Sequence, residues 1–485
     1  MTRSEREGES PSAVEILSAA ANQVTISDAR ARIRSYNSRT GRRFAVLDDD
    51  PTGSQSVHDV SVVTVLEPDE YARGLAAPGS TCFIWTNTRS LAEADAVALN
   101  TAAGEALVEL TSELGEPVDV VSRSDSTLRG HVLAEVRALD AVRAAAYGHG
   151  YDGVLLVPSY FEAGRFTAGD IHWAVAQGEA VPVGDTEFAN DATFGYTSSN
   201  LRDFVAEKSG GQINRDQVRS ISLDDIRVGG VDLVAEILGE LVECQFVVVN
   251  ATDFSDLEIV VLGLQQAQDA GKSFLFRSGP SFVRALAGIE PIGPLTAEQV
   301  RPQGCPAGHG LAVVGSHVGQ TARQIAAVER RGGVLKVELR VADLVDDESR
   351  NTHVAHTVEQ VVAALADSDV LLHTSRTLLR GNNPEKSLEI ARTVSTALTE
   401  VVRGALSARP SWVIAKGGIT SHDVAVRGLG IRRGTIIGQL FPGMVSVLRP
   451  DEATEEARGM PYIIFAGNVG DENALTKTIE MVQGR

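Results

Sequence analysis

Short apolar runs alternate with longer amphipathic stretches along most of the chain, beginning at Phe44. In the first half, these runs have the length of buried strands and end in polar residues. They predict strands at 44–48, 60–66, 81–86, 118–122, 153–158, 245–250 and 273–276. The stretch 91–114 repeats apolar residues at helical spacing and predicts a helix. Strands that alternate with helices indicate βαβ units and a mostly parallel sheet.

The second half of the chain resumes this alternation after a stretch rich in proline and glycine at 289–310. Such a stretch is typical of a linker between domains. Beyond it we expect a strand from Leu311 that runs into the turn at Gly315, helices at about 320–331 and 384–407, and strands at 334–338, 369–373, 411–415 and 461–466.

The pattern therefore predicts an α/β protein of two domains, each with a mostly parallel sheet flanked by helices. We place an N-terminal extension at 1–43, a first domain at 44–288, a linker at 289–310 and a second domain at 311–485. The length of 485 residues agrees with this division, since about 150 residues per domain gives two or three domains. The extension is polar with a weak helical pattern, which indicates a surface helix or a partly ordered segment.

Charge and composition narrow the choice of partner. The formal net charge of −20 repels nucleic-acid phosphates and anionic lipid, so we expect neither nucleic acid nor a membrane as a partner. No uncharged apolar stretch reaches the roughly 18 residues of a membrane span, and the N-terminus lacks an apolar signal core. Cys82, Cys244 and Cys305 are far apart and match no metal-binding spacing, which suits a reducing cytoplasm.

Three consecutive carboxylates, Asp48, Asp49 and Asp50, follow the first predicted strand and precede Pro51-Thr52-Gly53. Neighbouring like charges disfavour each other's ionisation. Such a cluster at the end of a buried strand is therefore typical of a site that binds a metal, hydroxyl groups or a proton in transit. The alternative is a solvated acidic turn that caps a helix through Asp50 or Thr52.

A second polar cluster follows the predicted strand at 118–122. Residues 122–131 contain two arginines, four hydroxyl side chains and Asp125. Arginine binds carboxylates through two parallel hydrogen bonds, and Asp125 is a candidate general base. The plain structural alternative is a helix cap at Asp125 or Ser126, flanked by surface arginines.

Two more strand ends add polar side chains to the same predicted edge of the sheet. Arg89 follows the strand at 81–86, where a helix cap is the alternative. Glu162 and Arg165 follow the strand at 153–158. His172 lies further along, and we interpret it as a structural histidine rather than a base.

Glycine-rich turns follow the strands of the second half. Gly417-Gly418-Ile419-Thr420 and Gly467-Asn468-Val469-Gly470 suit phosphate binding, because glycine lets backbone amides approach an anion closely. Gly315-Ser316 is a third candidate wall, and the turn at Gly443 is a candidate lining for adenine or ribose. None of them is a P-loop or a dinucleotide fingerprint, and ordinary structural turns are the alternative.

Taken together and in order, these motifs resemble those of the four-carbon acid sugar kinase family. The resemblance spans about residues 44–475 and rests on D-D-P-T-G at 49–53, D-S-T-L-R-G at 125–130, E-A-G-R-F-T at 162–167, G-S at 315–316, G-G-I-T at 417–420 and G-N-V-G at 467–470.

The resemblance implies a kinase with its active site in the cleft between two domains. The first domain would bind threonate, erythronate or 3-oxotetronate, and the second would bind ATP with Mg²⁺ for transfer to the terminal hydroxyl. We expect the catalytic carboxylates to be Asp49, Asp50 and Asp125. The expected acid-binding residues are Arg89, Arg123, Ser124, Asp125, Ser126, Arg129 and Arg165. The expected nucleotide-binding residues are Ser316, Gly417, Gly418, Ile419, Thr420, Gly443, Gly467, Asn468 and Gly470.

One departure from the family pattern concerns the substrate. The family often has lysine before D-S-T, whereas this chain has Ser122-Arg123-Ser124. A planar, two-pronged guanidinium therefore replaces the compact ammonium group of lysine. The identity of the acid, the metal ligands and the oligomeric state stay open, with a homodimer as the usual assembly of a metabolic enzyme.

Two other classes of function remain as alternatives. Asp48-x-Asp50-x-Thr52 matches the D-x-D-x-T pattern of haloacid dehalogenase-type phosphatases, in which Asp48 would be the nucleophile. That interpretation leaves the D-S-T-L-R-G and G-G-I-T motifs without a role. A non-catalytic sugar-acid binding protein would need the first domain but not the glycine turns.

Overall fold

The computed structural model describes residues 13–176, 178–301, 308–315, 319–344, 347–375, 384–467 and 469–484. Cys305, Ser316 and Asn468 lie outside these ranges.

The strands of the described chain, in chain order, are β1 Arg43–Asp48, β2 Val60–Val63, β3 Thr81–Trp85, β4 Val118–Arg123, β5 Gly153–Val157, β6 Arg165–Ala168, β7 Ile171–Ala176, β8 Glu179–Pro182, β9 Arg219–Ile221, β10 Gln245–Val249, β11 Phe274–Ser278, β12 Leu311–Val314, β13 Val334–Leu339, β14 Asp369–Thr374, β15 Val413–Lys416, β16 Arg433–Gln439, β17 Val445–Glu452 and β18 Tyr462–Phe465.

The α-helices of the same residues are α1 Ala13–Ala19, α2 Ala29–Arg39, α3 Pro68–Gly74, α4 Glu93–Leu114, α5 Val132–Tyr147, α6 Leu201–Lys208, α7 Gly230–Gly239, α8 Phe254–Asp269, α9 Pro280–Ala287, α10 Ala297–Val300, α11 Gly319–Arg331, α12 Asp347–Ala364, α13 Pro384–Ala405, α14 Gly418–Asp423 and α15 Ala474–Gln483.

The chain divides into two compact units that do not follow chain order. Among the described residues, the first unit contains 13–49, 77–80 and 91–290, and the second contains 50–76, 81–90 and the chain from 291 onward. The segments 50–76 and 81–90 therefore belong to the second unit, although both lie within the first predicted domain.

A parallel sheet forms the centre of the first unit, with its strands in the order β1-β4-β11-β5-β10-β9. Strands β1, β5 and β11 are buried along their whole length, which explains why they are continuous apolar runs in the sequence. Strands β6, β7 and β8 form a separate antiparallel sheet that the apolar pattern did not predict. This unit confirms the predicted α/β class.

The second unit contains a mixed sheet in the order β13-β14-β12-β15-β18-β17-β16-β2-β3. The pairs from β13 to β18 are parallel, and β17 and β16 run antiparallel to their neighbours. A core that includes Trp412, Ile414 and Phe465 packs between this sheet and its helices. The sheet is again mostly parallel, as the sequence predicts.

The N-terminal extension contains an integral helix of the first unit. In α2, Ile33 is fully buried and Asn37 donates through Nδ2 to the carbonyl oxygen of Leu286, 3.0 Å away. Arg30 pairs with Glu258 at 2.6 Å. The expected surface helix is therefore packed against α8 and α9.

No helix among the residues that the structure describes has both the length and the apolar character needed to cross a bilayer.

Candidate active site

The carboxyl ends of β1, β4, β11 and β5 meet at one edge of the sheet in the first unit. The strand register places Asp48 beside Arg123, Arg123 beside Ser278, and Ser278 beside Val157. Ser159 follows two residues after Val157, at the end of β5. The apolar strands therefore bring polar residues from four separate parts of the sequence to one edge, where α/β proteins bind ligands.

Asp48 and Arg123 form a buried ion pair at this edge. Nη1 of Arg123 lies 3.1 Å from Oδ1 of Asp48, and neither side chain exposes more than 5% of its surface. A buried carboxylate tied to a guanidinium is a poor nucleophile because its charge is already neutralised and solvent cannot reach it. The pair therefore argues against the phosphatase alternative, which requires Asp48 to attack a substrate.

Asp49 lies next to a second buried arginine, Arg277 of β11. An ideal Cβ built on Gly130 would lie 3.0 Å from Oδ2 of Asp49 and 3.0 Å from Nη2 of Arg277. Gly130 has a φ of 122°, so its lack of a side chain and its backbone conformation both favour glycine here. The D-S-T-L-R-G motif thus ends where a carboxylate and a guanidinium approach the same backbone.

The sequence analysis missed Arg277. Its guanidinium donates through Nη1 to the hydroxyl of Ser122 at 2.7 Å and pairs with Glu135 of α5. Both charged side chains are almost completely buried, with 1% and 3% exposure. The only available signal was its position directly after the apolar run Phe274-Leu275-Phe276, where the predicted strand ends.

Asp125 organises the turn that follows β4. Its Oδ2 accepts a hydrogen bond from Nε of Arg129 at 2.6 Å and another from the hydroxyl of Thr127. Leu128 adopts a left-handed conformation with φ of 67°, so the turn is held in a shape that most residues avoid. Asp125, proposed from the sequence as a base, therefore also holds the D-S-T-L-R-G turn in place through hydrogen bonds to residues of the same motif.

Arg165 and Arg129 flank the aromatic ring of Phe188. The guanidinium carbon of Arg165 lies 5.5 Å from the ring centroid, and that of Arg129 lies 5.2 Å from it. Arg165 also donates through Nη1 to the hydroxyl of Ser126 at 3.1 Å. Burial lowers the pKa of Arg165, and the charge of Asp125 opposes that shift. Sequence analysis did not identify Phe188, which lies in a short 3₁₀ segment.

His172 supports the same loop from behind. Its ring nitrogens contact the carbonyl oxygen of Ser126 at 2.8 Å and the hydroxyl of Thr167 at 3.0 Å. Burial lowers the pKa of His172 to about 4, so the imidazole is neutral at pH 7. The histidine is in a position to orient the backbone of Ser126.

Several buried polar atoms of this edge have no hydrogen-bond partner among the described residues. They are Nε of Arg123, Nε and Nη2 of Arg277, the hydroxyl of Ser159 and the hydroxyl of Ser278. An unsatisfied buried polar group costs about 1–3 kcal/mol, so a protein rarely keeps several of them together without a ligand or water to bind. Two guanidiniums and two hydroxyls suit an anion that also carries hydroxyl groups.

Asp50 and Arg89 belong to the second unit, where they lie beside a glycine turn. Nη2 of Arg89 is 3.1 Å from Oδ2 of Asp50. The other carboxylate oxygen accepts hydrogen bonds from the backbone amide and the hydroxyl of Thr52, at 2.8 and 2.6 Å. An ideal Cβ on Gly418 would lie 3.3 Å from Oδ2 of Asp50. The structure thus brings together Asp50, Arg89 and Gly418, which the sequence analysis assigned to catalysis, acid binding and nucleotide binding respectively.

The turn at Gly417 and Gly418 connects β15 to α14. Gly417 has φ of 114° and ψ of 141°, and its amide donates to the carbonyl oxygen of Phe465 at 2.8 Å. The backbone amides of Gly418 and Ile419 donate to no described residue. The Ile419 side chain is exposed, and a Cβ on Gly315 would collide with the Thr420 hydroxyl. The turn therefore presents backbone amides of Gly418 and Ile419 that donate to no described residue, next to a tightly packed contact between Gly315 and Thr420.

Side chains of helix α11 donate hydrogen bonds to the carbonyl oxygens of the turn after β18 and hold that turn in place. Thr321 donates to the oxygen of Gly467 at 3.1 Å, and Gln320 donates to that of Gly470 at 2.9 Å. Gln324 donates to the oxygens of Val469 and Asp471. The amides of Gly467, Val469 and Gly470 donate to no described residue. Amides without partners in a glycine turn suit phosphate oxygens.

Lys416, at the start of the first glycine turn, received no role of its own from the sequence. Its side chain has no solvent exposure, and its Nζ donates to the carbonyl oxygen of Ala466 at 3.1 Å. The amine also lies 3.8 Å from the centroid of the Phe465 ring. Burial lowers the pKa of Lys416 to about 7. Its position as the last residue of an apolar strand could have indicated this burial.

Gly443 lies in the hairpin turn between β16 and β17, where its φ is 62°. The amide of Leu440 closes this turn by donating to the carbonyl oxygen of Val445 at 2.8 Å. The predicted turn is therefore confirmed, and its proposed contact with adenine or ribose stays a prediction. Within the described ranges, no group of three or more His, Cys, Asp or Glu side chains has an arrangement that could hold a metal ion.

Two family models match the chain. Residues 44–286 match the sugar-binding N-terminal domain, and residues 311–475 match the nucleotide-binding C-terminal domain. No curated protein matches the chain.

Solved structures give a likeness of fold over nearly the whole chain. A Salmonella typhimurium LT2 protein, provisionally called a tRNA synthase, is 18% identical, with coverage of 90% of this chain and 98% of its own and a TM-score of 0.65. A Haemophilus influenzae protein of the DUF1537 family is 17% identical, with coverage of 91% and 99% and a TM-score of 0.59. At these identities the likeness shows the fold alone.

Proposed function

Because the chain belongs to the four-carbon acid sugar kinase family, with its sugar-binding N-terminal and nucleotide-binding C-terminal domains, we propose that it phosphorylates a four-carbon sugar acid with ATP. The acceptor is the terminal hydroxyl of threonate, erythronate or 3-oxotetronate. The observation that carries this proposal is the set of buried polar atoms that have no partner in the described chain, at the carboxyl edge of the sheet in the first unit.

The acid binds at that edge in our proposal. A four-carbon sugar acid carries one carboxylate and several hydroxyls, which match the donors of Arg123 and Arg277 and the hydroxyls of Ser159 and Ser278. Arg129 and Arg165, together with Ser124 and Ser126, form the remainder of the proposed acid site. Arg129 and Arg165 are restricted by stacking on Phe188, so little side-chain entropy is lost when they bind an anion.

The nucleotide binds at the glycine turns of the second unit. The amides of Gly418, Ile419, Gly467 and Gly470 have no hydrogen-bond partner among the described residues and suit the phosphate oxygens of ATP. Kinases neutralise phosphate charge with Mg²⁺, which usually keeps several waters and takes only one or two protein carboxylates. Asp50, next to Gly418, fits that requirement, and we assign the metal contact to it.

Phosphoryl transfer needs a base for the acceptor hydroxyl. The hydroxyl oxygen bonds to the γ-phosphorus while the bond from that phosphorus to the β–γ bridging oxygen breaks, and ADP leaves. The hydroxyl proton passes to a carboxylate, which we assign to Asp49. Asp125 is the rival base, but its Oδ2 already accepts hydrogen bonds from Arg129 and Thr127.

The test is ADP release from ATP and Mg²⁺ with a panel of four-carbon sugar acids. We expect release with one acid and at least a hundredfold loss in Asp49→Asn, because the proton acceptor is removed. Asp185→Asn, in a 3₁₀ segment of the same unit, is the matched control and should retain activity. Absence of release with every acid would contradict the proposal, and full activity in Asp49→Asn would exclude this base.

A further inference from the structure

A cavity lies at the amino edge of the sheet in the first unit, opposite the proposed acid site. It has a volume of about 290 Å³ and is bounded by the residues that precede β1 and β11, the start of β4, and helices α4 and α5. Ligand sites of α/β sheets occupy the carboxyl edge, so this amino-edge cavity is separate from the proposed acid site. Asp119 in the cavity and Arg123 at the acid site are four residues apart in β4, or roughly 13 Å.

One wall of the cavity is apolar. Leu107 of α4 and Leu139 and Val142 of α5 line it, and all three side chains are buried. A volume near the lower end of the usual range of about 300–1,000 Å³ suits a small ligand. The wall therefore favours a compact apolar body rather than a sugar or a nucleotide.

The opposite wall carries charge, and most of that charge is paired. Both oxygens of Asp119 lie 2.8 Å from Nη1 of Arg42, and Gln268 donates to one of them at 2.9 Å. Lys272 lies 3.3 Å from Asp152 and donates to the carbonyl oxygen of Leu241. Apart from Nε of Arg42, these groups are already paired within the described chain.

Arg143 is different, because no carboxylate of the described residues pairs with it. Its guanidinium carbon lies 5.0 Å from the ring centroid of Tyr147 and 4.9 Å from that of Tyr151. Its one hydrogen bond to a described residue runs from Nε to the carbonyl oxygen of Gly150, at a long 3.4 Å. Stacking on two rings holds the planar group in place and leaves its Nη donors for a ligand.

Two polar groups in the lining add to this donor set. The hydroxyl of Tyr151 makes no hydrogen bond to a described residue, although this side chain is only 9% exposed. Nε of Arg42 is buried and likewise lacks a partner in the described chain. A buried donor without a partner, such as this Nε, points to an acceptor that is absent from the described residues.

We propose that this cavity binds a small monocarboxylate with an apolar body, such as an aromatic or branched aliphatic acid. The carboxylate accepts hydrogen bonds from Arg143 and Tyr151, and the apolar body packs on Leu107, Leu139 and Val142. The charge of one carboxylate balances the one unpaired arginine, whereas a phosphorylated or multiply charged ligand would meet Asp119.

The experiment measures binding of benzoate by titration calorimetry, with benzamide as the neutral probe of equal shape. We expect wild-type protein to bind benzoate saturably. The affinity of Arg143→Gln for benzoate, and that of the wild type for benzamide, should each be at least tenfold lower. Arg137→Gln is the matched control, since Arg137 is an exposed arginine of the same helix that does not line the cavity. Tyr151→Phe, which removes only the hydroxyl, should weaken binding severalfold.

Three results would overturn the proposal. They are absence of saturable benzoate binding, equal affinity for benzamide, and unchanged benzoate affinity in both Arg143→Gln and Tyr151→Phe. Competition of benzoate with a four-carbon sugar acid at a single site would also overturn it, because it would move the carboxylate to the carboxyl edge of the sheet. None of these readouts depends on kinase activity.

Discussion

Nζ of Lys416 donates a hydrogen bond to the carbonyl oxygen of Ala466 across 3.1 Å, and this link ties the end of β15 to the segment after β18. Both glycine turns of the second unit begin directly after these two residues. A buried amine therefore sits between the two candidate phosphate turns. Its protonation state should be visible in the stability of the protein.

Replacement of Lys416 by methionine should remove a pH dependence of stability. Burial lowers the pKa of Lys416 from 10.5 to about 7, so between these values the folded protein binds fewer protons here than the unfolded chain. This residue therefore makes stability rise with pH across that window, by at most about 1.4 kcal/mol per pH unit, and the gain is lost as the pH falls to 7. Thermal unfolding of both proteins from pH 7 to 10 measures the difference. Parallel curves would contradict the assignment.

Gly417→Ala should destabilise the protein and weaken nucleotide binding together. A backbone at φ of 114° and ψ of 141° is almost restricted to glycine, and strain of this kind costs about 1–3 kcal/mol. Gly332→Ala is the control, because Gly332 has φ of 74° and an added Cβ would meet nothing within 4 Å. Both variants should lose stability, but only Gly417→Ala should lose ATP affinity in a calorimetric titration. Equal ATP affinity in the two variants would exclude a role for this turn.

Arg277→Met should destabilise the first unit by about 3–5 kcal/mol, since it leaves the carboxylate of Glu135 buried without its partner. The double variant Arg277→Met with Glu135→Leu should recover most of that loss, because no charge remains uncompensated. The exposed pair Arg219–Glu240, at 2.8 Å, provides the comparison and should contribute at most about 1 kcal/mol. Denaturant unfolding of the wild type, the single variants and the double variant of each pair measures the losses. If the losses of the two Arg277–Glu135 single variants simply add in the double variant, the two residues are not coupled.

Phe188→Leu should raise the KM for the acid severalfold and leave kcat nearly unchanged. The Phe188 ring makes cation–π contacts with Arg129 and Arg165 and thereby fixes their positions. Leucine keeps the apolar volume but removes this attraction, about 0.5–1 kcal/mol per arginine. Phe188→Tyr keeps the ring and should behave like the wild type. This prediction depends on the proposed kinase activity. An equal KM in Phe188→Leu and wild type would show that the ring does not position the arginines.

The parallel strands could be predicted because burial on both faces makes them continuous apolar runs. β1 and β5 lie within one residue of their predicted bounds at each end. The sheet β6-β7-β8 and the hairpin β16-β17 could not be predicted in the same way. Their sequences mix glycine and polar residues with apolar ones, so they lack the continuous apolar run that marks a strand buried on both faces.

The site shows the same limit. Polar residues that end apolar runs, such as Asp48 and Arg123, are visible in the sequence because the strand delivers them to an edge. Arg277 and Lys416 also end apolar runs, but the sequence does not show their burial, because only a tertiary partner makes a buried charge tolerable. The assignment of Asp50 and Arg89 to the second unit likewise depends on a long-range pairing, that of β2 with β16.

That pairing has a consequence for synthesis on the ribosome. Strand β2 joins β16 through partners such as Val63 and Arg433, so an early strand waits for one that emerges about 370 residues later. At 5–20 residues per second the delay is roughly 20 to 70 seconds. During this time the nascent chain carries an apolar strand whose hydrogen-bonding edge lacks its final partner, the kind of exposed edge that other chains can pair with.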